Sequence, residues 1–317
     1  MNPSFEVLAV MRMSPLLEPL LRAQFTVHDR LHESDPAAFE AVAPRIRGIA
    51  ASGESRVGAE LMDRLPALEI ISVMGVGYDG IDVAAAKARG VVVTHTPDVL
   101  NDDVADLALG LMLAASRQLV AADRHVREGR WAAQGPMPLA RKLSGSRLGI
   151  LGMGRIGQAI ARRALAFDMT VAYHTRTART DVPYPHVASA VELAAQSDVL
   201  CVITPGGAAT RHLVNAEVMA ALGPQGLLVN VARGSVVDEA ALIEALESGA
   251  LGGAALDVFA DEPNVPERLR ALPQVVLTPH IGSATNSTRG AMAGLAAGNL
   301  RAKAAREAVV TAVPECR

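Results

Sequence analysis

Leu148-Gly-Ile-Leu-Gly-Met-Gly-Arg-Ile-Gly157 is the stretch that decides how this chain is read. Leu148, Ile150 and Leu151 have the character of a buried strand, and residues 158–167 continue with helical periodicity. Between them lies Gly152-x-Gly154-x-x-Gly157, in which each glycine answers a physical need. Gly152 permits a tight turn, Gly154 lets a pyrophosphate approach the backbone, and Gly157 lets the helix pack close to the strand. The N–H groups and positive dipole end of the helix then face a phosphate. Glycines at this spacing can be turn residues alone; the strand before and the helix after make this a dinucleotide site.

The following strand, 170–174, bears on the cofactor, because an acidic residue at its end would hydrogen-bond an adenosine ribose 2′-OH. That place reads His174-Thr-Arg-Thr177. It offers no carboxylate to repel a 2′-phosphate, while Arg176 presents a planar fork of donors and Thr175 and Thr177 present hydroxyls. NADPH is therefore expected over NADH, with NADH as the second cofactor.

Composition bounds the rest. With 317 residues, 50% hydrophobic and 20% charged, the chain has the length for two domains and the make-up of an ordinary globular protein. A net charge of −3 gives no electrostatic reason for nucleic acid or an anionic membrane as partner, so a small molecule is expected. Cys201 and Cys316 show no paired spacing, which fits a reducing compartment and supplies no metal framework. The N-terminus lacks the pattern of a secretion signal, and the apolar segment 104–115 is too short for a bilayer. A cytoplasmic protein is expected.

Strands and helices alternate along the first hundred residues. Strands are expected at 5–10, 25–28, 46–51, 70–74 and 91–94, helices at 16–24, 58–65 and 83–89, and a further apolar element at 39–43. That alternation implies βαβ units and a parallel sheet. Ser52-Gly53 and Gly75-Val76-Gly77 follow two of the strands, where such sheets bind ligands, and their N–H groups suit a carboxylate. A plain βα turn is the competing reading of both. Asn101-Asp102-Asp103 is expected to cap one long helix from Val104 to about residue 128, apolar nearly all round in its first half. Residues 131–143 are expected as a linker or lid.

The second half continues with strands at 199–204, 227–231, 254–258 and 275–277 and helices at 216–222 and 239–248. Three strands end in residues with chemistry: Asn230-Val-Ala-Arg233, Asp257-Val-Phe-Ala-Asp-Glu262 and Thr278-Pro-His280-Ile-Gly282-Ser283. A parallel sheet gathers such ends along one edge, beside the nicotinamide of a cofactor lying across it. Carbonyl reduction needs a proton for the oxygen that receives charge when hydride reaches the carbon. His280 is the natural acid, an ordinary imidazole titrating at about 6.5. A Glu262 carboxylate on its other ring nitrogen would favour imidazolium, and Arg233 has the fork to hold a 2-keto acid. Taken singly, each has a plainer role, as ion pair, turn residue or loop histidine; together at successive strand ends they read as a site.

These stretches, with Gly75-Val-Gly-Tyr-Asp-Gly-Ile-Asp82, Val229-Asn-Val-Ala-Arg-Gly-Ser-Val-Val-Asp-Glu239 and Gly252-Gly-Ala-Ala-Leu-Asp-Val-Phe259, resemble the D-isomer-specific 2-hydroxyacid dehydrogenases nearly end to end. The resemblance implies an α/β fold of two doubly wound, Rossmann-like parallel-sheet domains with a cleft between them. It places a substrate domain at 1–98 plus 286–317, an inserted dinucleotide domain at 99–285, and a homodimer core in the helix from Val104. It gives Arg233, Glu262 and His280 the catalytic roles. Val76 and Gly77 would offer backbone donors to the substrate carboxylate, in a substrate set of Ser52, Gly53, Met74, Gly75, Val76, Gly77, Arg233 and His280. Asp257 would meet the nicotinamide carboxamide. The expected cofactor set adds Val104, Gly152, Met153, Gly154, Arg155, Ile156, Gly157, His174 to Thr177, Thr204, Pro205, Val231, Ala232, Arg233, His280, Gly282 and Ser283; no metal is expected.

Within that family, Thr96-Pro-Asp-Val-Leu-Asn-Asp-Asp-Val-Ala-Asp106 and His174-Thr-Arg-Thr177 are most similar to NADPH-dependent glyoxylate/hydroxypyruvate reductases and hydroxyphenylpyruvate reductases. A small 2-keto acid is the first substrate expectation and an aromatic or sugar 2-keto acid the second. Some glyoxylate/hydroxypyruvate reductases carry further tryptophans where this chain reads Ala132-Ala-Gln-Gly-Pro136. A non-catalytic NAD(H)-sensing scaffold of the same fold is the reading from another class.

Overall fold

The structure is a computed structural model that describes residues 5–317. It divides into two units: the described part of Met1–Leu100 together with Ser283–Arg317, and Asn101–Gly282. The first unit holds β1 (Glu6–Ala9), β2 (Thr26–Asp29), β3 (Ile46–Ser52), β4 (Ile70–Met74) and β5 (Val92–Thr94). They form an all-parallel sheet in the order β2-β1-β3-β4-β5. The order reverses between β1 and β3, and Ser52-Gly53 sits at the carboxyl end of β3, beside that switch.

Alternation along the strands decides which layer each residue meets. Ile49, Ala51, Ile71 and Val73 point into a core with Phe39, Met62 and Ala86 from three helices and Leu65 just past the second of them. Ser72 points the other way and donates to Ala296 O at 2.9 Å, within the helix Asn286–Ala304. The C-terminal tail then returns along the edge strand, Val313 N–H donating to Val93 O at 2.9 Å.

The second unit holds β6 (Arg147–Leu151), β7 (Thr170–His174), β8 (Val199–Val202), β9 (Leu227–Asn230), β10 (Gly253–Leu256) and β11 (Val275–Leu277). Its sheet is also all parallel, in the order β7-β6-β8-β9-β10-β11, with its switch between β6 and β8. Two parallel, doubly wound α/β sheets are thus the architecture. Asp35, Asp82, Ser189, Asn215, Asp238 and Thr285 each precede a helix and accept the N–H three residues on, which is why those helices start where they do.

The long helix expected from Val104 to about residue 128 is two helices, Asn101–Ser116 and Leu119–Arg127, bent by 60°. Gln118 takes the left-handed region, φ 52°, and ends the first helix in a way that its side chain does not announce. Asn101, Asp102 and Asp103 form the first turn of that helix instead of preceding it. Asp102 and Asp106 both accept from Arg163 on the helix Arg155–Leu165. Trp131, expected in a loop, lies in the short helix Arg130–Gln134, and the C-terminal helix stops at Ala304. No single helix among the described residues is long and apolar enough to cross a membrane.

The glycine turn divides its labour visibly. Gly152 has φ 103°, and a Cβ on Gly157 would lie 2.2 Å from Gly152 O, while one on Gly154 would meet nothing within 4 Å. Gly157→Ala is therefore expected to cost about 1–3 kcal/mol of stability, as overpacking does. Gly154→Ala should stay within about 0.5 kcal/mol. Thermal unfolding of the two variants measures the difference, and equal Tm values would contradict this account.

Candidate active site

Three strand ends of the second unit meet through backbone contacts. At the end of β9, Asn230 is 1% exposed and staples its own turn: its Nδ2 donates to Arg233 O and its Oδ1 accepts from Ala232 N–H, both at 3.0 Å. A Cβ on the next residue, Gly234, would stand 1.9 Å from the Phe259 carbonyl, so glycine is what lets this turn touch the segment after β10. Arg233 Nη1 donates to Ala232 O at 2.8 Å, and its charge helps to lower the pKa of Glu262.

Past β11, the loop is organised by Asp257, also 1% exposed. Its Oδ1 accepts from Thr278 Oγ1 at 2.7 Å and from Ile281 N–H at 2.8 Å, and its Oδ2 from Gly282 N–H at 2.8 Å. His280 N–H donates to Asp257 O at 2.8 Å, and the residue sits in the left-handed region, φ 51°. Burial pushes the Asp257 carboxyl above its usual range, against hydrogen bonds that favour the anion.

His280 Nδ1 donates to Glu262 Oε2 at 2.7 Å, both side chains 26% exposed. Glu262 Oε1 accepts from Phe259 N–H at 3.0 Å, so both oxygens are engaged. Burial alone would raise its pKa, but the His280 and Phe259 hydrogen bonds and the nearby positive charges hold it below the usual carboxylate range. The bond to Nδ1 orients the ring and leaves Nε2 on its far side.

The residues expected to meet a cofactor follow strands of the same sheet. Gly154 keeps open the space that a Cβ would occupy, at the start of the eleven-residue helix Arg155–Leu165. Thr204 Oγ1, beyond β8, is buried and has no hydrogen-bond partner among the described residues. An open cradle at a helix N-terminus and an orphaned hydroxyl nearby fit a dinucleotide. Met153 turns its side chain inward, 1% exposed, so only its backbone could meet one. Val231 and Ala232 are buried, Pro205 O accepts from Thr210 Oγ1, and Gly282 packs on Val104, 3.4 Å from a built Cβ.

In the loop after β7, His174 Nδ1 donates to Val187 O at 2.9 Å, and its ring stacks on His186. Thr175 Oγ1 donates to Thr177 O at 2.7 Å, so that hydroxyl is already committed as a donor. Arg176 is exposed and forms no ion pair among the described residues. Arg179, which sequence reasoning missed, does the structural work: its Nη1 donates to Met153 O at 2.9 Å and its Nε to Asp181 Oδ1 at 2.8 Å, with Nη2 on Asp181 Oδ2. Its position three residues after Arg176 and two before the loop's one carboxylate was the available signal.

In the first unit, two expected loops touch: a Cβ on Gly75 would lie 3.2 Å from Gly53 Cα. Ser52 N–H donates to Ser55 Oγ at 2.8 Å, and Met74 is 5% exposed. Among the described residues, no group of His, Cys, Asp and Glu is arranged to hold a metal ion.

A parallel-sheet dinucleotide unit carrying a carboxylate–imidazole pair at its strand ends defines a nicotinamide-dependent oxidoreductase class. The profile described as D-isomer specific 2-hydroxyacid dehydrogenase, NAD binding domain, matches residues 109–282, and the chain belongs to this family. It is 46% identical to glyoxylate/hydroxypyruvate reductase A of Arabidopsis thaliana, over 98% of this chain and 99% of that one. It is also 46% identical to the hydroxyphenylpyruvate reductase of Plectranthus scutellarioides, over 97% and 98%. Among solved structures, the NADPH-dependent glyoxylate/hydroxypyruvate reductase of Sinorhizobium meliloti, crystallised with NADP and malonate, superposes with a TM-score of 0.93 at 46% identity, covering 99% of this chain and 98% of that one.

The Glu262–His280 pair makes a pH prediction. Because the Glu262 pKa is lowered, the carboxylate stays an anion as the pH falls through its usual range, and its charge favours the protonated form of the ring it touches. Glu262→Gln preserves an acceptor for Nδ1 but removes the charge. The alkaline limb of kcat/KM for reduction is then expected to move toward lower pH, which a pH–rate profile reads; an unmoved limb would show that the charge has no part in holding the proton.

Proposed function

We propose that this protein reduces a small 2-keto acid, glyoxylate or hydroxypyruvate, to the D-2-hydroxy acid with NADPH. The observation that carries the reading is the 2.7 Å contact of His280 with Glu262 at the strand edge that also bears the glycine turn. Reduced nicotinamide, when bound, supplies the hydride. His280 Nε2 gives the proton to the carbonyl oxygen, and Glu262 stabilises the imidazolium before the transfer. Arg233 holds the carboxylate and carbonyl of the substrate, and the N–H groups of Val76 and Gly77 receive the carboxylate. Asp257 keeps one lone pair on Oδ2 for the nicotinamide amide, after serving its own loop. The Gly152–Gly157 turn with Arg155 and Ile156 takes the pyrophosphate.

NADPH is favoured because Arg176 is exposed and unpaired while Asp181, the carboxylate of the same loop, is taken up by Arg179. The relatives with glyoxylate/hydroxypyruvate activity in their names support the small acid, and the hydroxyphenylpyruvate reductase supports an aromatic acid as the second reading. The residues 1–98 with 286–317 would serve the substrate and 99–285 the cofactor. A homodimer and a reducing, cytoplasmic setting belong to the same reading. The helix Asn101–Ser116 buries Val104, Leu109, Leu111 and Met112, while Leu119, Val120, Val126 and Trp131 farther along are each more than half exposed and would give the dimer its apolar surface. Unpaired Cys201, buried in β8, accords with the setting.

Absorbance of NADPH during turnover of glyoxylate, hydroxypyruvate, hydroxyphenylpyruvate and 2-ketogluconate tests the substrate. A preference in kcat/KM for the first two is expected; preference for the third moves the assignment to aromatic acids. Arg176→Ala should raise KM for NADPH about 10-fold and leave KM for NADH nearly unchanged, the loss of one charge-assisted hydrogen bond being worth roughly 1.5–3 kcal/mol. Equal effects on both cofactors would remove Arg176 from the 2′-phosphate.

A further inference from the structure

The loop after β4 carries two peptide planes whose orientation is set from behind. In a trans peptide the C=O and the following N–H point in opposite directions. Gly75 C=O accepts from Thr96 N–H at 2.8 Å, so Val76 N–H is aimed away from the segment after β5. Val76 C=O accepts from His95 Nδ1 at 3.0 Å, so Gly77 N–H is aimed the same way. Neither N–H donates to another described residue. One plane is thus held by a backbone donor that no substitution removes, and the other by a single side chain.

That side chain is built into place. His95 is 7% exposed, and the Tyr78 ring stands edge-on to it at 5.3 Å and 86°. Its main chain is clasped by Thr311, whose carbonyl accepts from His95 N–H at 3.1 Å and whose hydroxyl donates to His95 O at 2.5 Å. Asn299 holds Thr311 in turn, Nδ2 donating to its Oγ1 at 2.8 Å and Oδ1 accepting its N–H at 3.1 Å. Because a carbonyl only accepts, the ring carries a hydrogen on Nδ1 in this contact.

We propose that His95 is a positioning residue that fixes the Val76–Gly77 peptide so that Gly77 N–H receives the carboxylate of the substrate. The inference rests on the 2-keto acid reading above for the identity of the anion. Without the His95 donor the plane is free to rotate, and one of the two loop donors loses its aim. Since a carboxylate is held alike in the ground and transition states, the loss falls on KM and spares kcat.

The test uses an isosteric pair. His95→Asn keeps an N–H donor on the γ substituent near the place of Nδ1, while His95→Asp has the same shape and, as a carboxylate, only accepts. His95→Asp is expected to raise KM for the keto acid about 10-fold or more, with kcat and KM for NADPH within about twofold, and His95→Asn to stay near wild type. Turnover of a simple aldehyde with no carboxylate should be the same in both. Should His95→Asp fail to fold, His95→Phe, which fills the volume without a donor, takes its place. Equal keto-acid KM values in the donor and non-donor variants overturn the proposal, as does an equal loss on the carboxylate-free aldehyde. If wild-type protein turns over no 2-keto acid, the functional reading falls instead, and the two failures are told apart by that control.

Discussion

The loop that presents His280 depends on one buried carboxylate. Asp257 is 1% exposed, and it accepts from Thr278, Ile281 and Gly282 while its own carbonyl takes the N–H of His280. A buried anion is costly unless hydrogen bonds compensate it, and here three donors come from residues on either side of the histidine. The same bonds over-determine the backbone at His280 and so hold it at φ 51°, a conformation few non-glycine residues keep. Removing the carboxylate would therefore free the loop in two ways, releasing three donors and the left-handed residue between them. Glu262 then acts on a ring whose main chain is already fixed, which is why one 2.7 Å bond suffices to set its orientation.

Much of the fold was legible because the chain uses strong local signals. Apolar runs gave strands such as 70–74, ended by Gly75, and 170–174 at their observed limits. Their alternation with helices then implied two parallel sheets. Helix limits were read less well, and the physical reason is visible at Gln118. A left-handed residue there ends the helix Asn101–Ser116, yet glutamine carries no intrinsic tendency to do so, and the apolar pattern continues through Leu119 and Val120. Tertiary packing decides the bend, since the first helix is enclosed by its own unit and the second lies outward.

For the candidate site, residue types at strand ends were legible and their supports were not. Arg233, Glu262 and His280 stand out as chemistry in an apolar context. Gly234, Asn230 and His95 do not, because their contributions are close backbone approach and hydrogen bonds to carbonyls far away in sequence. Nothing in Val-Thr94-His-Thr96 says that the imidazole will meet Val76 O, 19 residues back. A hydrogen bond to main chain leaves no trace in the identity of its acceptor, so such supports become readable only when the chain is folded.

The loop after β7 carries this to the proposed cofactor choice. Asp181 would place a negative charge in the segment that is asked to accept a 2′-phosphate. Arg179 answers with a two-point contact and holds the carboxyl below its usual pKa, so the pair is formally neutral and Arg176 keeps its charge for a ligand. An exposed ion pair of this kind adds little to stability. Its consequence is local: the same guanidinium reaches Met153 O, so the loop after β7 is tied to the glycine turn after β6. In the proposed reading, cofactor preference would thereby be divided between Arg176, which would meet the phosphate, and Arg179 behind it, which offsets the Asp181 charge and ties the loop to Met153.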